Sequence, residues 1–180
     1  MAATRKWTMA FHSGETPQIV KGLITASQGV LIPGAPMYLS QSGTWKVCVT
    51  SMGTDAWHGF LVGRVASPGT WPLTAELDGS AGIYVALIKA NHIYSVYCNA
   101  TGTDSVAAQT NVGDNLGLTV SATSGEVGFT TLDTDNANET VKVVNIASNQ
   151  DTTGRKYTTT DSPGVLRVSF LQSVIDTDKA

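Results

Sequence analysis

Histidines are the side chains in this sequence best suited to catalysis or metal binding, and there are three of them, His12, His58 and His92. None belongs to a His-x-His or His-x-x-x-His pair, so no spacing supports a shared metal ion. Asp55 lies three residues before His58, but hydrolysis would also need a nucleophile held against that imidazole. No Gly-x-Ser-x-Gly segment supplies one. We therefore predict that the chain is not an enzyme and requires neither a cofactor nor a catalytic metal.

An acidic segment runs from Asp133 to Glu139 and has a superficial likeness to a calcium-binding loop. Such a loop requires Asp or Asn at its fifth position and Gly at its sixth. Here those positions hold Ala137 and Asn138. We therefore predict a solvated acidic loop rather than a cation site.

The charge of the chain excludes some classes of partner. Eleven basic and fourteen acidic residues give a net charge of −3, and no basic stripe of the kind that binds nucleic acid is present. The longest apolar run, about Gly82–Ile88, is too short to span a membrane. No apolar stretch of a signal peptide follows residues 1–7. We predict synthesis in the cytoplasm and no nucleic-acid or membrane partner.

Period-2 alternation of apolar and polar residues runs through most of the sequence and predicts β-strands. In the closing strand, for example, Leu166, Val168 and Phe170 alternate with Arg167 and Ser169. The other predicted strands are, in chain order, residues 7–11, 19–25, 37–40, 45–49, 59–65, 83–88, 94–98, 118–122, 126–132 and 140–147. No segment of ten or more residues has a helical stripe. The fold class is predicted to be all-β, a jelly-roll or barrel-like antiparallel sandwich with little helix.

Clusters of Gly and Pro separate the predicted strands and indicate how the chain is divided. The best candidate boundary is the segment at residues 67–72, and no repeat of fixed period is evident. We predict a possible N-terminal arm over residues 1–18 and a single β body over residues 19–180. A split near residues 68–72 is the alternative.

The two cysteines, Cys48 and Cys98, both lie inside alternating segments. Two thiols do not make a disulfide framework. We interpret both as reduced, small core residues.

Tryptophans are the strongest candidates for contact with a partner. Trp45 lies within an alternating strand and is predicted to be a core residue. Trp7, Trp57 and Trp71 lie beside polar, Gly or Pro residues. Such a Trp can anchor an interface or can close the end of a barrel, and the sequence leaves both possibilities open.

Three cationic residues complete the set of candidate partner-binding residues. Arg5 and Lys6 form a basic pair beside Trp7, which favours a partner-contacting arm. Arg167 is the charged residue of the closing strand and is predicted to point away from the core. The candidate partner-binding residues are therefore Arg5, Lys6, Trp7, Trp57, Trp71 and Arg167.

Two stretches of the sequence resemble the head decoration, or cement, proteins of tailed bacteriophages. The first resembles their turn–strand, exposed-tip and returning-strand pattern and comprises Gly34–Leu39, Gly43 and Gly59–Val65. The second resembles the closing half of podophage virion proteins that coat the head and comprises Val112–Leu118, Asp133, Val141–Val144 and Gly164–Val174.

This resemblance implies a β-barrel or jelly-roll protein that binds the outside of an assembled capsid in the virion. The implied partners are the major capsid protein, whose lattice it would stabilise, and further copies of itself in a symmetric dimer or trimer. The family has no catalytic residues to carry over. The alternative is a receptor- or carbohydrate-binding virion module, such as a head fibre or tail-fibre tip, with Trp57 and Trp71 stacked on sugars. A fibre would normally add a coiled-coil or repetitive shaft, which this sequence lacks.

Overall fold

A computed structural model describes residues 10–48, 57–65, 79–98, 109–120, 130–133, 139–146 and 164–175. Within these ranges the chain forms eleven strands and one short α-helix. The strands are β1 (Ala10–Ser13), β2 (Ile19–Leu23), β3 (Pro36–Leu39), β4 (Trp45–Val47), β5 (Gly59–Arg64), β6 (Gly82–Leu87), β7 (Ile93–Cys98), β8 (Asn115–Val120), β9 (Thr130–Asp133), β10 (Glu139–Ile146) and β11 (Val165–Phe170). The helix α1 is Gln172–Ile175, and a single 3-10 turn spans Gln109–Asn111. The prediction of an all-β fold with little helix is confirmed.

The first five-stranded sheet closes on itself. Its strands pair antiparallel in the order β2-β6-β5-β3-β4. Ile24, directly after β2, forms a parallel bridge with Trp45 in β4. The Thr25 N–H then donates a 2.9 Å hydrogen bond to the Trp45 carbonyl oxygen. The two outer strands therefore meet, and we call this closed set of strands the N-terminal ring.

The second sheet closes in the same way. It has six strands in the order β1-β7-β11-β10-β8-β9, with neighbours antiparallel. We call the closed set of its last five strands, β7 to β11, the C-terminal ring. The parallel closing pair joins Tyr97 to Thr131 and Cys98 to Leu132. Counted from its first strand, each ring has the order 1-5-4-2-3, with strands 1 and 3 parallel. The chain therefore contains one topology twice, and the jelly-roll form of the prediction is not confirmed.

The inward faces of the strands form the cores. The core of the N-terminal ring consists of Ile24, Leu31, Ile32, Ala35, Met37, Trp45, Val47, Leu61, Ile83 and Val85. The core of the C-terminal ring includes Val96, Cys98, Leu116, Leu118, Val120, Leu132, Val141, Val143, Leu166 and Val168. Trp45 is buried, as predicted. Cys48 and Cys98 are buried thiols that do not form a disulfide, so the prediction of reduced core cysteines is confirmed.

Aromatic side chains join the two rings. Phe60 of β5 packs against Tyr94 of β7 and Phe170 of β11, with ring centroids 5.0 and 6.0 Å apart. Trp57, just before β5, packs against Phe170 at 5.6 Å. The backbone N–H of Trp57 donates a 2.9 Å hydrogen bond to the carbonyl oxygen of Val174 in α1. One buried cluster therefore contains side chains from both rings.

The predicted N-terminal arm and the candidate boundary are described only in part. Residues 10–13 of the predicted arm form β1, which pairs with the first half of β7 beside the C-terminal ring. Residues 1–9 and 66–78 lie outside the described residues, so the arm and the split near residues 68–72 stay predictions. Within the described ranges, no helix is long and apolar enough to cross a membrane.

Candidate partner-binding surface

The structure places two of the predicted partner-binding residues, Trp57 and Arg167. The other four, Arg5, Lys6, Trp7 and Trp71, lie outside the described residues, and their roles stay predictions.

Trp57 is a core residue, so its prediction as a partner-binding residue is wrong. Its side chain is 2 % exposed and is among the largest fully buried side chains of the described residues. The indole packs against the ring of Phe170 in β11. Its placement fits the other possibility that the sequence left open, a Trp that closes the end of a barrel.

Arg167 lies on the outer face of β11, as the alternation predicts. Leu166, Val168 and Phe170 are buried, whereas Arg167 is half-buried. Its neighbours across the sheet are Ser95 of β7 and Asn145 of β10. The Nε atom of Arg167 is buried and has no hydrogen-bond partner among the described residues. A buried donor without an acceptor is costly, and because Nε is buried, an anionic partner would interact with the exposed part of the half-buried guanidinium rather than with this atom.

Arg167 acts electrostatically on His12 of β1. His12 lies at the irregularity in β1 where its register with β7 shifts. Burial lowers the pKa of His12, and the nearby charge of Arg167 lowers it further. Both effects favour a neutral imidazole beside a permanent cation.

His92 is enclosed at the junction between the rings. It is fully buried, and the rings of Phe11 and Tyr94 lie 5.4 and 6.1 Å from its own. Its Nδ1 accepts a 3.3 Å hydrogen bond from the Lys89 N–H and lies 3.1 Å from the Tyr94 hydroxyl oxygen. Burial lowers the pKa of His92, the charge of Lys89 lowers it further, and that of Glu15 opposes the shift. His92 thus packs as a neutral ring with no path to solvent.

His58 has a similar structural role in the N-terminal ring. Its Nδ1 accepts a 2.7 Å hydrogen bond from the Leu39 N–H, and burial lowers its pKa. The described residues contain no group of three His, Cys, Asp or Glu side chains that could hold a metal ion.

Exposed aliphatic side chains were missed at the sequence level. The exposed large apolar residues of the described surface are Ile19, Leu23, Leu39, Val62 and Val144. Val62 and Val144 each lie in a β-bulge, where two consecutive residues face one residue of the neighbouring strand. The available signal was the consecutive apolar pairs Leu61-Val62 and Val143-Val144, which interrupt period-2 alternation. Exposed apolar side chains that cluster on one face are typical of interaction surfaces.

Comparisons with known proteins assign no family. No protein-family model matches the chain, and no curated protein matches it significantly. The observations that bear on function are therefore those of the chain itself: two closed rings, exposed aliphatic residues on their outer faces, and a half-buried arginine with an unsatisfied Nε.

Proposed function

We propose that this chain is a structural virion protein that binds the outside of a tailed-phage head and stabilises the lattice of the major capsid protein. The observation that carries a binding role is the set of exposed aliphatic residues, among them Ile19, Leu23 and Val62, on strands that also bear cations such as Lys21. An outward aliphatic surface with nearby charge suits a protein–protein contact.

The choice of a capsid as partner rests on the resemblance to decoration proteins. The two resembling stretches fall on corresponding parts of the two rings. Gly34–Leu39 and Val112–Leu118 each contain the turn before, and much of, the second strand of a ring, whereas Gly59–Val65 and Val141–Val144 lie in the fourth strand. The two stretches correspond only in part, because Gly164–Val174 of the second stretch covers β11, and the first stretch contains no part of β6.

Stabilisation of a lattice follows from linkage. A protein that binds the assembled lattice but not its dissociated subunits favours the assembled state by mass action. Symmetry repeats that contribution at every equivalent site. Closed rings are suited to this role because they have few open strand edges and lose little conformational freedom on binding.

The alternative, a receptor- or carbohydrate-binding module, has less support. It relied on Trp57 and Trp71 as surfaces for sugar stacking. Trp57 is buried, so this alternative now depends on Trp71 alone.

The number of copies in a purified particle tests the proposal. Quantitative mass spectrometry, with the major capsid protein as the internal reference, measures this number directly. We expect hundreds of copies, on the scale of the lattice. Tens of copies would favour a fibre, and absence from the particle would contradict a structural role in the virion.

A further inference from the structure

The two rings correspond residue by residue, not only in strand order. The Gly34 N–H donates to the Leu61 carbonyl oxygen at 2.8 Å, and the Gly113 N–H donates to that of Val143 at 2.9 Å. Both glycines have positive φ, 79° and 100°, a conformation that glycine adopts readily. A second matched pair of bonds joins the Ile24 N–H to the Ala81 oxygen (3.1 Å) and the Cys98 N–H to the Gly164 oxygen (2.9 Å).

The same correspondence places a bulge at one position in both rings. In the N-terminal ring the register with β6 shifts between Leu61 and Gly63, and in the C-terminal ring the register with β11 shifts between Val143 and Asn145. The residue inside each bulge is a valine. Val62 is 42 % exposed and Val144 is 43 % exposed. Each ring therefore presents an aliphatic side chain at the same point of its outer surface.

Each bulge lies beside a cation. In the N-terminal ring, Lys21 of β2 pairs with Tyr84 of β6, which in turn pairs with Gly63, the residue after Val62. In the C-terminal ring, Arg167 of β11 pairs with Ser95 of β7 and with Asn145, the residue after Val144. We call the two surfaces bulge faces. The N-terminal bulge face consists of Ile19, Lys21, Leu23, Val62 and Tyr84, and the C-terminal bulge face consists of Ser95, Lys142, Val144, Asn145 and Arg167.

The described strands that carry these faces contain more basic than acidic residues. The six strands β2, β5, β6, β7, β10 and β11 contain four basic residues, Lys21, Arg64, Lys142 and Arg167, and one acidic residue, Glu139. The Glu139 carboxylate already accepts a 3.0 Å hydrogen bond from the Asn115 amide. Among the described residues, the side chains of these strands are therefore complementary to an acidic surface.

We propose that the two bulge faces are equivalent docking sites, and that each binds an acidic protein surface with an apolar centre. This inference rests on the proposed function and deepens it, because a lattice offers the same subunit surface many times. One chain would then engage two copies of that surface. Linking two weak contacts in one molecule raises the apparent affinity well above that of either contact alone.

The aliphatic content of the faces favours protein over nucleic acid. The N-terminal bulge face has three exposed aliphatic side chains, Ile19, Leu23 and Val62, beside a single lysine. Binding to nucleic acid draws its affinity mainly from many cations on phosphates. The N-terminal bulge face with three aliphatic side chains around one lysine, and the C-terminal bulge face with one valine beside two cations, instead match the mixed apolar and polar composition of a protein interface.

Val62→Asp and Val144→Asp, made singly and together, test the two sites. The probe is a preparation of heads from the encoding phage, purified from a stock that lacks this protein. Because an aspartate both removes an aliphatic contact and opposes an acidic partner, we expect each single variant to bind at least about tenfold more weakly. The double variant should not bind measurably. Ser42→Asp, which adds the same charge at an exposed turn outside both faces, should bind like the wild type.

Charge reversal gives a second readout that leaves the bulges intact. Lys21→Glu and Arg167→Glu should each weaken binding to the same heads, and added salt should weaken wild-type binding as well. Thermal melts of every variant establish that the rings remain folded. A variant that fails to fold is replaced by its charge-reversal counterpart.

Four results would overturn the inference. If both valine variants and both charge variants bind heads as tightly as the wild-type protein does, the bulge faces are not docking sites, and the proposed function stands. Loss confined to one ring would refute their equivalence. If the wild-type protein binds duplex DNA and Val144→Asp abolishes that binding, the C-terminal bulge face is a nucleic-acid site. Failure of the wild-type protein to bind heads would refute the proposed function and this inference together.

Discussion

Phe170 and Arg167 lie on one strand and have opposite environments. Phe170 is buried against Trp57, Phe60 and Tyr94 at the junction of the rings. Arg167 lies on the outer face with a buried Nε that has no described acceptor. The free energy of unfolding should therefore depend strongly on the first residue and weakly on the second.

Phe170→Ala should lower the stability of the free protein by about 3–5 kcal/mol, because it opens a cavity in the shared aromatic cluster. Arg167→Ala should change it little, since the truncated group leaves no buried partner unsatisfied. Thermal melts of the two purified variants measure both effects. If Arg167→Ala is the more destabilising, the assignment of inner and outer faces in β11 is wrong.

The buried histidine predicts how stability depends on pH. Burial lowers the pKa of His92 in the folded state, whereas in the unfolded chain it lies at about 6.5. The unfolded state therefore binds more protons below that value, and stability is lost as the pH falls through it towards the folded pKa. Burial lowers the pKa values of His12 and His58 as well, so all three histidines act in the same direction.

His92→Phe should flatten this dependence, because phenylalanine retains the aromatic contacts with Phe11 and Tyr94 but does not titrate. Urea denaturation between roughly pH 7 and pH 5 gives the slope of the unfolding free energy. His12→Gln, at a more exposed site, should alter the slope less. An unchanged slope in His92→Phe would show that another group controls the acid sensitivity.

At the scale of strands, much of the fold could be predicted from alternation. The predicted strands at residues 19–25, 59–65 and 83–88 correspond to β2, β5 and β6 within a residue or two at each end. Ring closure could not be predicted, because the parallel bridge between Ile24 and Trp45 joins segments whose pairing leaves no local pattern. The short helix α1 was not predicted.

The two rings fill one core position differently. In the N-terminal ring, a Cβ added at Gly22 would clash with the Trp45 indole. The strand pairings place Val96 and Leu132 at the corresponding positions of the C-terminal ring. In the N-terminal ring, the large Trp45 side chain thus faces Gly22, which has no side chain. In the C-terminal ring, the corresponding positions hold two side chains of intermediate size, Val96 and Leu132.

This exchange predicts a compensating pair of substitutions. Gly22→Val should be destabilising through overpacking by about 1–3 kcal/mol, and Trp45→Leu should be destabilising through a cavity. The double variant reproduces the pair found in the C-terminal ring and should recover about 0.5–3 kcal/mol relative to the sum of the single effects. A double-mutant cycle by chemical denaturation measures this coupling.

Additive losses in that cycle would contradict the correspondence of the two cores. Val20→Ala combined with Trp45→Leu serves as the control, since both substitutions remove volume from the same core and neither can fill the cavity left by the other.

At the scale of the whole molecule, the duplication was hidden from the sequence. Corresponding residues seldom match in type, as Gly22 and Val96 or Trp45 and Leu132 show, and their separation along the chain differs between pairs. What the rings share is backbone hydrogen bonding, which many side chains permit. The bulge faces were missed for the same reason, because the exposure of Val62 depends on a register shift.

The N-terminal segment is predicted to serve binding rather than folding. Deleting residues 2–7 should leave the melting temperature unchanged, because the deletion removes none of the described strands. It should weaken binding to heads, since the deletion removes Arg5, Lys6 and Trp7, two cations and an aromatic group suited to interface anchoring. Sedimentation of the truncated protein with heads measures the effect. Unchanged binding would discard the arm as a contact.

The thermal stability of phage heads shows directly whether this chain stabilises the capsid lattice. Purified protein is added in increasing amounts to heads that lack it, and the temperature of genome release is recorded with a fluorescent DNA dye. We expect the release temperature to rise and then to saturate at a fixed ratio of this chain to the major capsid protein, because each lattice site binds once and favours the assembled state. A release temperature that stays constant while the protein is bound, or heads that bind no protein, would contradict the claim that this chain stabilises the capsid.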